Sequence, residues 1–131
     1  MTAQIFPTED WEQTCFVNWL EANSYIFTSI PNNTYTRSWS QKNKNKRNGL
    51  RPGLPDLIVL LPDRVCWVEM KRVKGGTVSK EQKEWIAALN GRGTPAAVCK
   101  GFEAAKSFIL EQEALARVHE SVQNEALGEN V

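Results

Sequence analysis

The spacing of hydrophobic positions changes period several times along this chain of 131 residues. From Thr8 it is helical: Trp11, Cys15, Trp19 and Leu20 recur on one side, and Phe16 and Val17 widen the stripe. Thr8 is a good capping residue, and Glu9, Asp10 and Glu12 place acids at the positive end of the helix dipole. A helix from Thr8 to about Asn23 is predicted. Residues 25–30 are aromatic and β-branched and stop at Pro31, which predicts a strand. Residues 34–53 are polar and basic without periodicity; such length predicts a functional loop, or a segment disordered until it binds.

Asp56 to Leu61 is a continuous apolar run, as expected of a strand covered on both faces. Pro62-Asp63 supplies a turn, and residues 65–71 supply the second strand of an antiparallel hairpin. After the break at Gly75-Gly76, Ser79 and Gln82 form the S-x-x-Q capping box of a helix. Trp85, Ile86 and Leu89 are its expected inner face, and Gly91 to Gly93 end it. Residues 96–99 make a third core strand, and residues 102–110 a closing helix with Phe102, Ala105, Phe108 and Ile109 inward. Beyond Glu111 the pattern weakens, and the last ten or so residues are expected to fray. The predicted order is α-β-loop-β-β-α-β-α, a single α/β domain with a mixed sheet flanked by helices. Residues 1–110 form its body and residues 111–131 a partly flexible helix or tail.

Composition is that of an ordinary soluble globule, 41% hydrophobic and 24% charged, with enough chain for one core. The net charge of +1 conceals an asymmetry. No acidic residue lies between Glu21 and Asp56, where Arg37, Lys42, Lys44, Lys46, Arg47 and Arg51 fall; after Phe102 the balance is acidic. One part of the chain would attract a polyanion and another repel it. Cys15, Cys66 and Cys99 sit among apolar neighbours without metal-binding spacing, which reads as reduced core filler. Met1-Thr2-Ala3-Gln4 lacks the pattern of a secretion signal, and no apolar run reaches membrane-spanning length, so a cytoplasmic location is expected.

Two charged groups interrupt the apolar strands. Period-two alternation along residues 65–71 puts Val65, Trp67, Glu69 and Lys71 on one face and Cys66, Val68 and Met70 on the other. A hairpin turning at Pro62-Asp63 sets Asp56 roughly opposite Glu69, so two carboxylates come within reach of one cation. Asp56, Glu69 and the backbone carbonyl of Met70 are oxygen donors suited to Mg²⁺ or Mn²⁺, and Lys71 could neutralise a developing charge or orient water. Read alone, such a D…E-x-K spacing is more often a solvated ion pair beside a turn aspartate. Its surroundings change the balance.

Pro55-Asp56 followed by Glu69-Met70-Lys71 resembles the P-D…(D/E)-x-K signature of restriction-endonuclease-like nucleases. The longer strings Arg51-Pro52-Gly53-Leu54-Pro55-Asp56-Leu57, Glu69-Met70-Lys71-Arg72 and Ser79-Lys80-Glu81-Gln82-Lys83-Glu84-Trp85 resemble the VRR-NUC branch of that superfamily, whose stand-alone members are mostly phage-encoded. The likeness runs from about Glu9 to about Ile109. It implies a restriction-endonuclease-like core in which Asp56 and Glu69 hold a metal and Lys71 is the catalytic lysine. Gln82 matches a glutamine this branch keeps at its site, although the capping box is another use for it. The family often adds a glutamate from the first helix; Glu12 is the expected ligand, with Glu9 its competitor, and either could be a simple dipole-stabilising acid.

The resemblance implies a Mg²⁺- or Mn²⁺-dependent endonuclease of branched DNA, four-way junctions foremost, working as a homodimer. Arg37, Lys42, Lys44, Lys46, Arg47, Arg51 and Lys74 would form its phosphate clamp. Two other functions stand beside this one: a catalytically silent nucleic-acid-binding module, and a sequence-specific restriction enzyme. The intact charged triad speaks against the first, and the lack of room for a recognition domain against the second.

Overall fold

A computed structural model describes residues 5–31 and 36–128. The elements are α1 (Glu9–Ala22), β1 (Ile26–Ser29), α2 (Trp39–Arg47), β2 (Leu57–Leu60), β3 (Val65–Lys71), α3 (Lys80–Gly91), β4 (Ala96–Lys100) and α4 (Phe102–Gly128). The strands form one mixed sheet in the order β1-β2-β3-β4. β1, β2 and β3 pair antiparallel, and β4 joins β3 in parallel. A parallel neighbour requires a crossover, which α3 supplies.

One sheet face carries the core. Phe16 and Leu20 of α1 and Ala105 and Ile109 of α4 close over Leu57, Val59, Cys66, Val68, Met70 and Cys99. Cys66, Val68 and Met70 are the face of β3 that alternation predicts to point away from the charges. Burial pushes the Cys66 thiol up to about 11 and the Cys99 thiol to about 12, as befits core filler. Trp19 ties α1 to α4 and to the residue before β1: its ring is stacked on Phe16, tilted against Tyr25 and edge-on to Phe102, at centroid distances of 6.1, 5.1 and 6.5 Å.

Three expectations are corrected. Trp11 points to solvent, because the buried stripe of α1 runs through Glu12, Phe16 and Leu20, about 100° round the helix from it. The basic segment contains a helix, α2, capped by Ser38 through its hydroxyl to Gln41 N; the reading of residues 32–35 lies outside the described residues. Its lysines, arginine and glutamine are good helix formers, and the missing period meant only that no face is buried. Finally, α4 does not stop near Leu110. Its continuation is held by polar contacts a hydrophobic period cannot reveal: Arg64 to Gln112 at 3.0 Å, Tyr25 to Glu113 at 2.5 Å and His119 to Asp63 at 3.0 Å. Among the described residues no helix is long and apolar enough to cross a membrane.

Candidate active site

The site is built on the β2–β3 hairpin. Leu57 pairs with Val68, so the residues just before and after, Asp56 and Glu69, fall opposite one another. Asp56 is fixed there by accepting a hydrogen bond from Met70 N to its Oδ2 at 2.8 Å. A strand residue turns its N–H and C=O toward the same edge, so the Met70 carbonyl also faces the Asp56 side. Its own side chain points into the core, fully buried.

Glu69 and Lys71 share the opposite face, the one α3 covers. Both are buried, at 2% and 8% exposure, and Lys71 Nζ lies 3.6 Å from Glu69 Oε1. Gln82 on the first turn of α3 donates from Nε2 to the same Oε1 at 2.8 Å. Its other end completes the capping box, Oε1 accepting from Ser79 N at 2.9 Å while Ser79 Oγ accepts from Gln82 N at 3.1 Å. One amide therefore caps the helix and orients the carboxylate.

The hydrogen-bond account of Glu69 is incomplete. Its Oε2 is buried with no hydrogen-bond partner, the one such side-chain atom among the described residues. Burial, and next the charge of Asp56, push the Glu69 carboxyl up to about 8; Lys71 pulls it down and Glu9 adds to the rise. Asp56 is raised as well, by burial, against the opposing pull of Met70 N–H and Lys71. Two carboxyls whose ionisation burial opposes, one of them with an unmatched oxygen, fit a hard divalent cation. Among the described residues no group of three or more His, Cys, Asp or Glu side chains is gathered to hold an ion. A cation placed there would have the two carboxylates as its acidic donors, leaving a carbonyl, water and phosphate for other positions.

Glu12 is placed elsewhere. Its buried carboxylate accepts a hydrogen bond from Phe102 N through Oε2, satisfying the first turn of α4. The α1 acid whose charge reaches Glu69 is Glu9, the competitor.

The loop before Asp56 is seated on α3. Gly53 has φ of +96°, and a Cβ there would lie 2.6 Å from Glu81 C and 2.8 Å from Gln82 N. Only glycine fits so close an approach with that backbone. Trp85 Nε1 donates to Pro52 O at 2.9 Å, pinning the same loop. Leu54 to Asp56 thus enters β2 from a point fixed against the helix that carries Gln82.

Lys42, Lys44, Lys46 and Arg47 project from α2, and Arg37, Arg51 and Lys74 are also exposed. Sequence reasoning missed Lys100. It pairs with Lys71 in the parallel β3–β4 ladder, so its exposed side chain leaves the sheet on the face of Lys71 and Glu69, one strand away. Its signal, a lysine ending an apolar strand, becomes informative only once the register is known.

A family model described as the VRR-NUC domain matches residues 3–103. A solved structure named "VRR_NUC domain protein" is similar with a TM-score of 0.66 and 28% identity, over 81% of this chain and 88% of that one. A second, "VRR_NUC domain", shares the fold with a TM-score of 0.57 and 22% identity, over 79% of this chain and 96% of that one. Among curated proteins none matches.

Proposed function

The chain belongs to the VRR-NUC family of nuclease domains, and from that premise we propose that it is a metal-dependent, structure-selective DNA endonuclease cutting branched DNA such as four-way junctions. The observation that carries this reading is the meeting of Asp56 and Glu69 beside the buried ammonium of Lys71, with a Glu69 oxygen left unmatched. Asp56, Glu69 and the Met70 carbonyl hold the ion, Mg²⁺ or Mn²⁺. When bound, such an ion neutralises phosphate charge and makes water more acidic.

The chain's own groups do the rest. Gln82 keeps the Glu69 carboxylate turned toward the site. Lys71 orients the attacking water and balances the charge that develops on the phosphate. Little else is required, because positioning and charge stabilisation carry most of a phosphoryl-group reaction. The basic side chains of α2, with Arg37, Arg51 and Lys74, track the backbone in a sequence-blind, salt-sensitive manner. A four-way junction has approximate two-fold symmetry, so paired cuts call for a two-fold homodimer.

Labelled four-way junction, flap, single-stranded and linear duplex DNA, incubated with and without Mg²⁺, test the proposal. Metal-dependent cutting that favours the junction, abolished by Lys71→Ala while binding persists, is the expected result. Absence of metal-dependent cleavage on every substrate would leave a binding module. Cleavage confined to one short linear sequence would instead indicate a restriction enzyme.

A further inference from the structure

The most exposed large aromatic among the described residues is Trp39, at 77%. It opens α2, a helix of nine residues with no buried side chain and no acid. Burying an indole against the body would be favourable, yet α2 leaves it in solvent beside Lys42, whose Nζ is 5.8 Å from the ring centroid. The other freely exposed tryptophan, Trp11 at 59%, lies among Glu9, Asp10 and Glu12, where a polyanion is repelled. Trp39 has only cations near it in its own helix.

A second observation lies on the same side. A shallow hollow lies between α2 and the loop after it, lined by Lys42, Asn45, Lys46, Leu50, Arg51 and Pro52. Arg51 joins the two by donating to Lys46 O at 3.2 Å and Leu50 O at 3.1 Å. An exposed π-face, flanking ammonium groups and an adjoining hollow are the parts of a single-strand binding platform, on which bases stack while cations hold phosphates. A paired duplex offers phosphates but keeps its base faces covered.

We propose that α2 is a docking surface for unpaired DNA, on which Trp39 stacks a base while Lys42, Lys46 and Arg51 hold the adjoining phosphates. The inference rests on the DNA-cleaving reading and refines it: unstacked bases at a branch point, not the branch angle, are what α2 recognises. It also gives α2 a use for an indole that contributes nothing to the core.

The test compares the full-length wild-type protein with Trp39→Ala and Trp39→Phe, in chelator, on three labelled DNAs. These are a short oligo-dT, a perfectly paired duplex, and the same duplex with a central unpaired bubble containing 2-aminopurine. Trp39→Ala is expected to weaken binding to oligo-dT and the bubble by on the order of tenfold. The paired duplex should change less than twofold, the 2-aminopurine response to stacking should be lost, and Trp39→Phe should retain most of the affinity. Equal losses on paired and unpaired DNA, or no loss on either, would overturn the proposal. Wild-type protein that binds none of the three would overturn the DNA reading itself, a result that needs no variant to see. Unchanged melting of both variants, expected for so exposed a side chain, shows that the comparison is between folded proteins.

Discussion

Gln82 reaches Glu69 across 2.8 Å with one end of its amide while the other end closes the cap of α3 on Ser79 N. Helix position and carboxylate orientation are thereby tied to one side chain, and the two roles separate by mutation. Ser79→Ala removes only the hydroxyl that accepts from Gln82 N and should cost about 1 kcal/mol of stability, with cleavage nearly intact. Gln82→Ala should cost a similar amount of stability and, beyond that, about 10–100-fold in metal affinity or activity, the usual price of losing a ligand's supporting partner. Thermal melts and cleavage rates on the pair check this; equal activity losses would mean that only the cap matters.

The raised Glu69 carboxyl predicts how stability depends on pH without added metal. Its ordinary value is 4.5 and in the fold it lies near 8, so between those values the native chain keeps a proton that the unfolded chain has released. The stabilisation is complete below the lower value and is lost as pH rises through the upper one, with a slope of at most about 1.4 kcal/mol per unit. Melting temperature should therefore fall between about pH 5 and 8, and Glu69→Gln should flatten that slope. A metal-free protein equally stable across the window would contradict the assignment.

Gly53→Ala tests the seating of the loop on α3. A Cβ would approach backbone at 2.6–2.8 Å in a backbone conformation L side chains rarely adopt, and a cost of about 2–4 kcal/mol is expected. Gly49 has a similar φ of +93° but nothing within 4 Å, so Gly49→Ala should lose only the conformational part, about 1 kcal/mol. Denaturant melts of the two variants give the comparison. Cleavage should fall with Gly53→Ala even at temperatures where it is folded, because Asp56 follows three residues later.

Lys100→Ala should weaken DNA binding and lower the slope of log affinity against log salt by about 1, the signature of one lost phosphate contact. Metal binding should be unaffected. A salt series by anisotropy measures both affinity and slope; an unaltered slope would remove Lys100 from the interface.

The hairpin and its charged pair were legible because two rules coincide there: alternation fixes which side chains share a face, and a short turn fixes the register. Asp56 opposite Glu69, and Glu69 beside Lys71, follow from those alone. Gln82 was legible as a cap and as an amide facing the sheet, and in the fold it closes the cap and donates to Glu69. Glu12 against Glu9 was not, since both precede the same apolar stripe and only the tertiary position of Phe102 N shows what Glu12 satisfies. α2 escaped a reading based on burial because nothing in it is buried. Lys100 depended on a parallel register that no local pattern encodes.

The unmatched Oε2 of Glu69 has a consequence for the protein's lifetime. A ligand that binds the native state alone adds RT ln(1 + [L]/Kd) to its stability, about 2.7 kcal/mol at a hundredfold excess over Kd. On the proposed function, depriving this chain of divalent ions would enlarge the population open to proteases and halt cutting together. Turnover in a cell and turnover of substrate would answer to the same ion concentration.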